Sequence, residues 1–130
     1  MESRSEIPIQ EPLIYVVDDD DVVRDSLKAL LQVRRYVVRD FESGERFLAA
    51  DPDLSHCCLI LDVHMPNMTG IQLMQAMRDR GNVPATILIT GKRDAILQNQ
   101  ASELGALALL DKPLSHVTLF QTIEQALAPH

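Results

Sequence analysis

Short runs of apolar and β-branched residues alternate along this chain with stretches whose apolar positions recur every three or four residues. Five runs have strand character, at 13–17, 36–41, 57–61, 85–89 and 106–110. The intervening stretches predict helices. The first starts at Asp20 or Asp21 and carries Val23, Leu27, Leu30 and Leu31 on one face. Ser43 is placed to cap a short second helix containing Phe47 and Leu48, and a third, over about 70–80, presents Met74 and Met77 before stopping at Gly81. Asp94 is placed to cap a fourth, with Leu97, Ala101 and Leu104 inward, which ends at Gly105. A fifth follows Pro113, with Val117, Phe120, Ile123 and Leu127 on its inner face.

Several of the strand runs are apolar at every position, which an alternating, half-exposed strand would not be. A strand that lies between two helices in the chain is buried on both faces, and that predicts a parallel sheet. Right-handed crossovers with helices on both sides then predict an α/β fold, a doubly wound five-stranded parallel sheet of flavodoxin-like order 2-1-3-4-5. Functional groups in such sheets gather at the carboxyl ends of the strands.

At 130 residues the chain holds one domain, expected over 13–128 with an N-terminal extension over 1–12 and no output domain. Nineteen acidic against twelve basic side chains give a formal charge of −7, which argues against direct nucleic-acid binding by this segment. No apolar stretch approaches the length of a membrane span, and residues 1–11 lack the apolar block of a signal peptide. No membrane association and a cytoplasmic location are the expectation. Cys57 and Cys58 are neighbours in a strand run, so their side chains point to opposite faces; they read as buried hydrophobes, not as a disulfide or a zinc site.

The strand ends carry the chemistry. The first strand runs into Asp18, Asp19, Asp20 and Asp21, and the third into Asp62. In the predicted order these two strands are adjacent, so Asp18, Asp19 and Asp62 crowd together, and carboxylates so placed repel unless a cation offsets them. A small cluster of hard oxygen ligands favours Mg²⁺. Asp20 and Asp21 read more simply as helix-capping acids. The fourth strand ends in Thr90, a hydroxyl, and the fifth in Asp111-Lys112-Pro113, an ammonium at the same rim. His56, His116 and His130 read as surface residues.

The run V-V-D-D-D-D, the segment L-D-V-H-M-P-N-M-T-G from Leu61 to Gly70, the I-T-G ending at Gly91 and the D-K-P ending at Pro113 resemble the receiver domain of two-component response regulators. Their flavour is nearest to the nitrogen-fixation-type transcriptional regulators. The resemblance implies that Asp62 accepts a phosphoryl group from a sensor histidine kinase or phosphotransfer protein. It also implies that Mg²⁺ is held by Asp19, Asp62 and the backbone carbonyl of His64, with Asp18 acting through water, and that Thr90 and Lys112 contact the phosphoryl oxygens. On this reading the chain is no enzyme beyond catalysing its own phosphoryl transfer and autodephosphorylation.

Thr90 is the expected switch residue, coupled in the family to a Tyr or Phe three positions before the lysine. This chain has Leu109 there. Leu107 and Leu109, two apart on the fifth strand, predict an apolar strip beside the fourth helix and a homodimer through that helix and strand on activation. Two other classes compete with the switched receiver. One is a receiver-like interaction module independent of phosphate. The other is a Mg²⁺-dependent phosphatase with an Asp nucleophile, which needs a second acid at the position of His64.

Overall fold

The computed structural model describes residues 13–128, so the extension over 1–12 and His130 lie outside the described residues. Five strands, β1 (Leu13–Val17), β2 (Val37–Phe41), β3 (Cys57–Asp62), β4 (Ala85–Thr90) and β5 (Ala108–Asp111), form one sheet in the order β2-β1-β3-β4-β5. Every pairing is parallel. The helices between and after them are α1 (Asp21–Val33), α2 (Gly44–Ala50), α3 (Gly70–Asp79), α4 (Ala95–Glu103) and α5 (His116–Leu127). This is the predicted doubly wound, flavodoxin-like arrangement.

Composition follows position in the sheet. The inner strands read LIYVV, CCLILD and ATILIT and are buried almost throughout, because helices cover them on both faces. The edge strands, VVRDF and ALLD, are largely half-buried and tolerate charge. One face of the sheet, with Ile14, Val16, Cys58, Ile60 and Ile87, packs on Leu27 and Leu31 of α1 and Leu119, Phe120 and Ile123 of α5. The other, with Tyr15, Val17, Cys57, Leu59 and Leu61, packs on Phe47, Leu73, Met74, Met77 and Leu97 of α2, α3 and α4. The two cysteines fall on opposite faces as expected, and burial pushes their thiols up to about 11 and about 12, which leaves them unreactive.

The helix starts are fixed by side chains that accept otherwise unpaired N–H groups: Asp20, Ser43, Thr69, Asp94 and Ser115. Thr69 and Gln72 form a reciprocal capping box. The Ser115 cap places Val117 in the first turn of α5, about 200° around the helix from Leu119. Val117 is therefore 67% exposed, which corrects its expected inner position, while Phe120, Ile123 and Leu127 pack inward as expected together with Leu119.

The fifth strand also starts later than its composition suggests. The turn closing α4 continues through Gly105, at φ +81°, to Ala106, whose N–H donates to the carbonyl of Ala101. That bond holds Ala106 in the helix-closing turn, and Leu107 follows as a bend 42% exposed. Leu109 alone of the expected pair lies in β5, half-buried against the α4 side of the core. In the same way Arg35, at φ +66°, and the Tyr36 N–H bond to Leu31 hold back the start of β2 to Val37.

Candidate functional site

The polar residues singled out at the strand ends converge at one rim of the sheet. Asp62 and Thr90 are the last residues of β3 and β4, Asp18 follows β1 directly, and Lys112 follows β5. The register holds them together: Asp62 pairs with Ile89 and Thr90 with Asp111, while the Lys112 N–H donates to the Thr90 carbonyl at 2.8 Å. The Lys112-Pro113 peptide is cis.

Asp18 and Asp62 are buried, at 2% and 4% exposure, and Asp19 is exposed. Carboxylate oxygens of all three lie within 4.8 Å of one another. Asp18 Oδ1 accepts the Asp20 N–H at 2.9 Å, and Asp62 Oδ1 accepts the His64 N–H at 3.3 Å and lies 3.5 Å from Lys112 Nζ. Burial pushes the Asp18 carboxyl up to about 6, with the charge of Asp62 adding to it and the Asp20 N–H and Lys112 opposing it. Burial likewise raises Asp62, against the opposing pull of Lys112 and of the His64 N–H. One lysine beside three acids leaves negative charge in excess, and an all-oxygen donor set so compact fits a small hard divalent cation.

The segment from Asp62 to Gly70 folds tightly back on its own strand. The Gly70 N–H donates to the Val63 carbonyl at 2.9 Å. A Cβ at Gly70 would lie 2.6 Å from the Asp62 carbonyl oxygen and 3.0 Å from Val63 Cα, both backbone atoms with no freedom to turn aside. Gly70→Ala is expected to cost about 2–3 kcal/mol of stability and to shift the main chain of Asp62. Chemical denaturation reads the first effect and amide NMR shifts at Asp62 the second.

The Thr90 side chain is buried and its hydroxyl is fully engaged. It accepts the Lys92 N–H at 3.0 Å, lies 3.1 Å from the Lys92 carbonyl oxygen and 3.1 Å from His64 Nε2. The His64 imidazole is thus directed at Thr90 and stands outside the acid cluster. Leu109 packs beside α4, and its carbonyl accepts from the Arg93 guanidinium, which also pairs with Asp111 at 3.2 Å. Asp20 caps α1, accepting the N–H groups of Val22 and Val23. His56 and His116 are exposed.

Sequence reasoning passed over one charged group beside the acids. Arg24 in the first turn of α1 donates to the Asp18 carbonyl and to Asp40 and Asp21. The spacing of Arg24 three residues after Asp21 was a visible signal, but it points only to a helix-surface pair. Nothing in the local pattern shows that Asp40 of the neighbouring strand draws the guanidinium inward.

Comparison with known proteins agrees with this geometry. Residues 14–124 match the family model of the response regulator receiver domain. The chain is 42% identical over 115 residues to the transcriptional regulatory protein TdiR of Thauera aromatica, covering 88% of this chain and 51% of that protein. It is 39% identical over 114 residues to the transcriptional regulatory protein FixJ of Bradyrhizobium diazoefficiens, covering 88% and 56%. The chain thus spans about half the length of these curated relatives. Its backbone matches the crystal structure of FixJ-N with a TM-score of 0.82 at 32% identity, over 91% of this chain and 94% of that one. The response regulator StyR gives 0.84 at 34% identity, over 91% and 60%. With its five parallel strands in the order β2-β1-β3-β4-β5, its acids, hydroxyl and lysine on one rim, and its match to the family model, the chain belongs to the response regulator receiver domain family.

Proposed function

We propose that the Asp62 carboxylate is the phosphoryl acceptor of a switched signalling receiver, taking the group from the phosphohistidine of a sensor histidine kinase or phosphotransfer protein. The observation that carries this reading is the placement of Asp62: buried at the end of a central strand, within 4.8 Å of two other acids and 3.5 Å from Lys112. Asp62 Oδ attacks phosphorus as the P–N bond to the donor imidazole breaks, forming an acyl phosphate. Lys112 offsets charge on the transferring oxygens, and the Thr90 hydroxyl leaves His64 and Lys92 to meet them.

Asp19, Asp62 and the His64 carbonyl would hold Mg²⁺, with Asp18 acting through water. When bound, the ion neutralises the acids and the incoming phosphoryl charge. The chain catalyses only its own phosphorylation and dephosphorylation, acts in the cytoplasm, and uses 13–128 as its receiver unit. No helix among the described residues is long and apolar enough to cross a membrane.

Activation favours self-association through α4 and β5, where Ile96 of α4 and Leu107, just before β5, are already 72% and 42% exposed. The contact is mainly apolar, so it is only weakly salt-dependent. Beryllofluoride, a phosphoryl mimic, tests both parts. With Mg²⁺ it should bind one equivalent, lost on adding chelator, and sedimentation equilibrium should then show a shift toward dimer at both low and high salt. Failure to bind overturns the acceptor reading. Binding with an unchanged monomer overturns only the self-association surface.

A further inference from the structure

We propose that Arg24 is a positioning residue for the cation site, fixing the turn between β1 and α1 that carries Asp18 and Asp19. The proposal rests on the reading of the acids as a Mg²⁺ site. The Arg24 side chain is 13% exposed and ties three parts of the fold together. Nη1 donates to the Asp18 main-chain carbonyl at 2.6 Å, Nε to Asp40 Oδ2 of β2 at 3.2 Å, and Nη2 to the Asp21 carboxylate. The second oxygen of Asp40 is taken by Lys28 Nζ at 3.1 Å, which holds Asp40 in place as the anchor.

The carbonyl that Arg24 grips belongs to the peptide joining the two acids. A peptide unit is planar, so holding the Asp18 oxygen fixes the orientation of the bond into Asp19 and narrows the directions in which the Asp19 side chain can leave the backbone to those reached by rotation about that one bond. Asp18 has a restraint of its own in the Asp20 N–H and in burial. Asp19 is exposed, so its placement depends on that peptide plane. A guanidinium is suited to the task because its fork serves a carbonyl and a carboxylate at once in fixed geometry, which an ammonium cannot do.

Two cations, Arg24 and Lys28, face two anions, Asp40 and Asp21, so the network is locally balanced and Arg24 acts by geometry and not as a counter-charge for the acids. The sign of one effect separates these roles. A counter-charge competes with Mg²⁺, and removing it would tighten binding. A positioning group supports the ligands, and losing it weakens binding, by roughly ten-fold for an outer-shell partner of a metal ligand.

Calorimetric titration of Mg²⁺ into the parent, Arg24→Gln and Arg24→Lys decides the matter, with circular dichroism to show that each variant is folded. Both variants should bind Mg²⁺ roughly ten-fold more weakly. The amide NMR signal of Asp19 should move in Arg24→Lys, which preserves charge and remains informative should the Gln variant not fold. A purely structural role would lower the melting temperature and leave Mg²⁺ affinity of the folded protein unchanged. Equal or tighter binding in Arg24→Lys overturns the proposal, whereas a parent that binds no Mg²⁺ overturns the cation-site reading beneath it.

Discussion

Replacing Asp62 with Asn is expected to bring phosphoryl incorporation from acetyl phosphate down to background while leaving the protein folded. An amide oxygen lacks the anionic charge that makes a carboxylate a nucleophile toward phosphorus. The neighbouring acids are poor substitutes: Asp18 is committed to the Asp20 N–H, and the close contact of Lys112 is with Asp62. The fold should survive, because burial already opposes the ionised form of Asp62 and the neutral amide removes that cost. Counting labelled phosphoryl groups per chain measures the effect, and parent-level labelling of a folded Asp62→Asn protein would show that another side chain is the acceptor.

The second large effect concerns stability without metal, and its sign is unusual for a carboxylate. The Asp18 group titrates near 6 in the folded protein, above the unfolded value of about 3.9. The folded state therefore binds more protons between these values, so the contribution of Asp18 is most favourable below about pH 4 and is lost as pH rises through about 6. Asp62 shifts in the same direction. Asp40 works oppositely: despite its burial, Lys28 and Arg24 hold it below the usual range, so its stabilisation is lost as pH falls.

At pH 7 the metal-free parent carries the whole penalty at Asp18, about 3 kcal/mol. Asp18→Asn keeps an oxygen to accept the Asp20 N–H and removes the charge. The variant should melt roughly 5–10 °C above the parent at pH 7 in chelator, with the gap closing toward pH 4. Its gain on adding Mg²⁺ should be smaller than the parent's. A variant less stable than the parent in chelator would show that the Asp18 charge supports the fold.

Most of the architecture was legible because the sheet repeats one simple signal. The predominantly apolar runs of β1, β3 and β4 announce burial on both faces, and that leaves few topologies open. The site was legible for a related reason, since Asp18, Asp62, Thr90 and Lys112 each terminate or follow a different strand. What the linear pattern hid was depth. The three acids look equivalent in sequence, yet Asp18 and Asp62 are buried and Asp19 is not. In α5 the expected inner face holds at Phe120, Ile123 and Leu127, and Val117 was misplaced because it continues the apolar spacing in sequence while the first turn carries it to the far side of the helix from Leu119. Leu107 reads as a strand residue by type, and the Gly105 turn keeps it out. Arg24 escaped notice because its role depends on Asp40, sixteen residues away on the neighbouring strand.

The central claim is that the Asp62 carboxylate takes the phosphoryl group with the help of a cation held by its acidic neighbours. The most direct measurement is mass spectrometry of the parent after incubation with acetyl phosphate, in Mg²⁺ and in chelator, followed by borohydride reduction, which converts an acyl phosphate to the corresponding alcohol. The account predicts one phosphoryl group per chain in Mg²⁺, little in chelator, and a reduced side chain at position 62 alone. Labelling that is independent of Mg²⁺, or a reduced side chain at any other position, would contradict it.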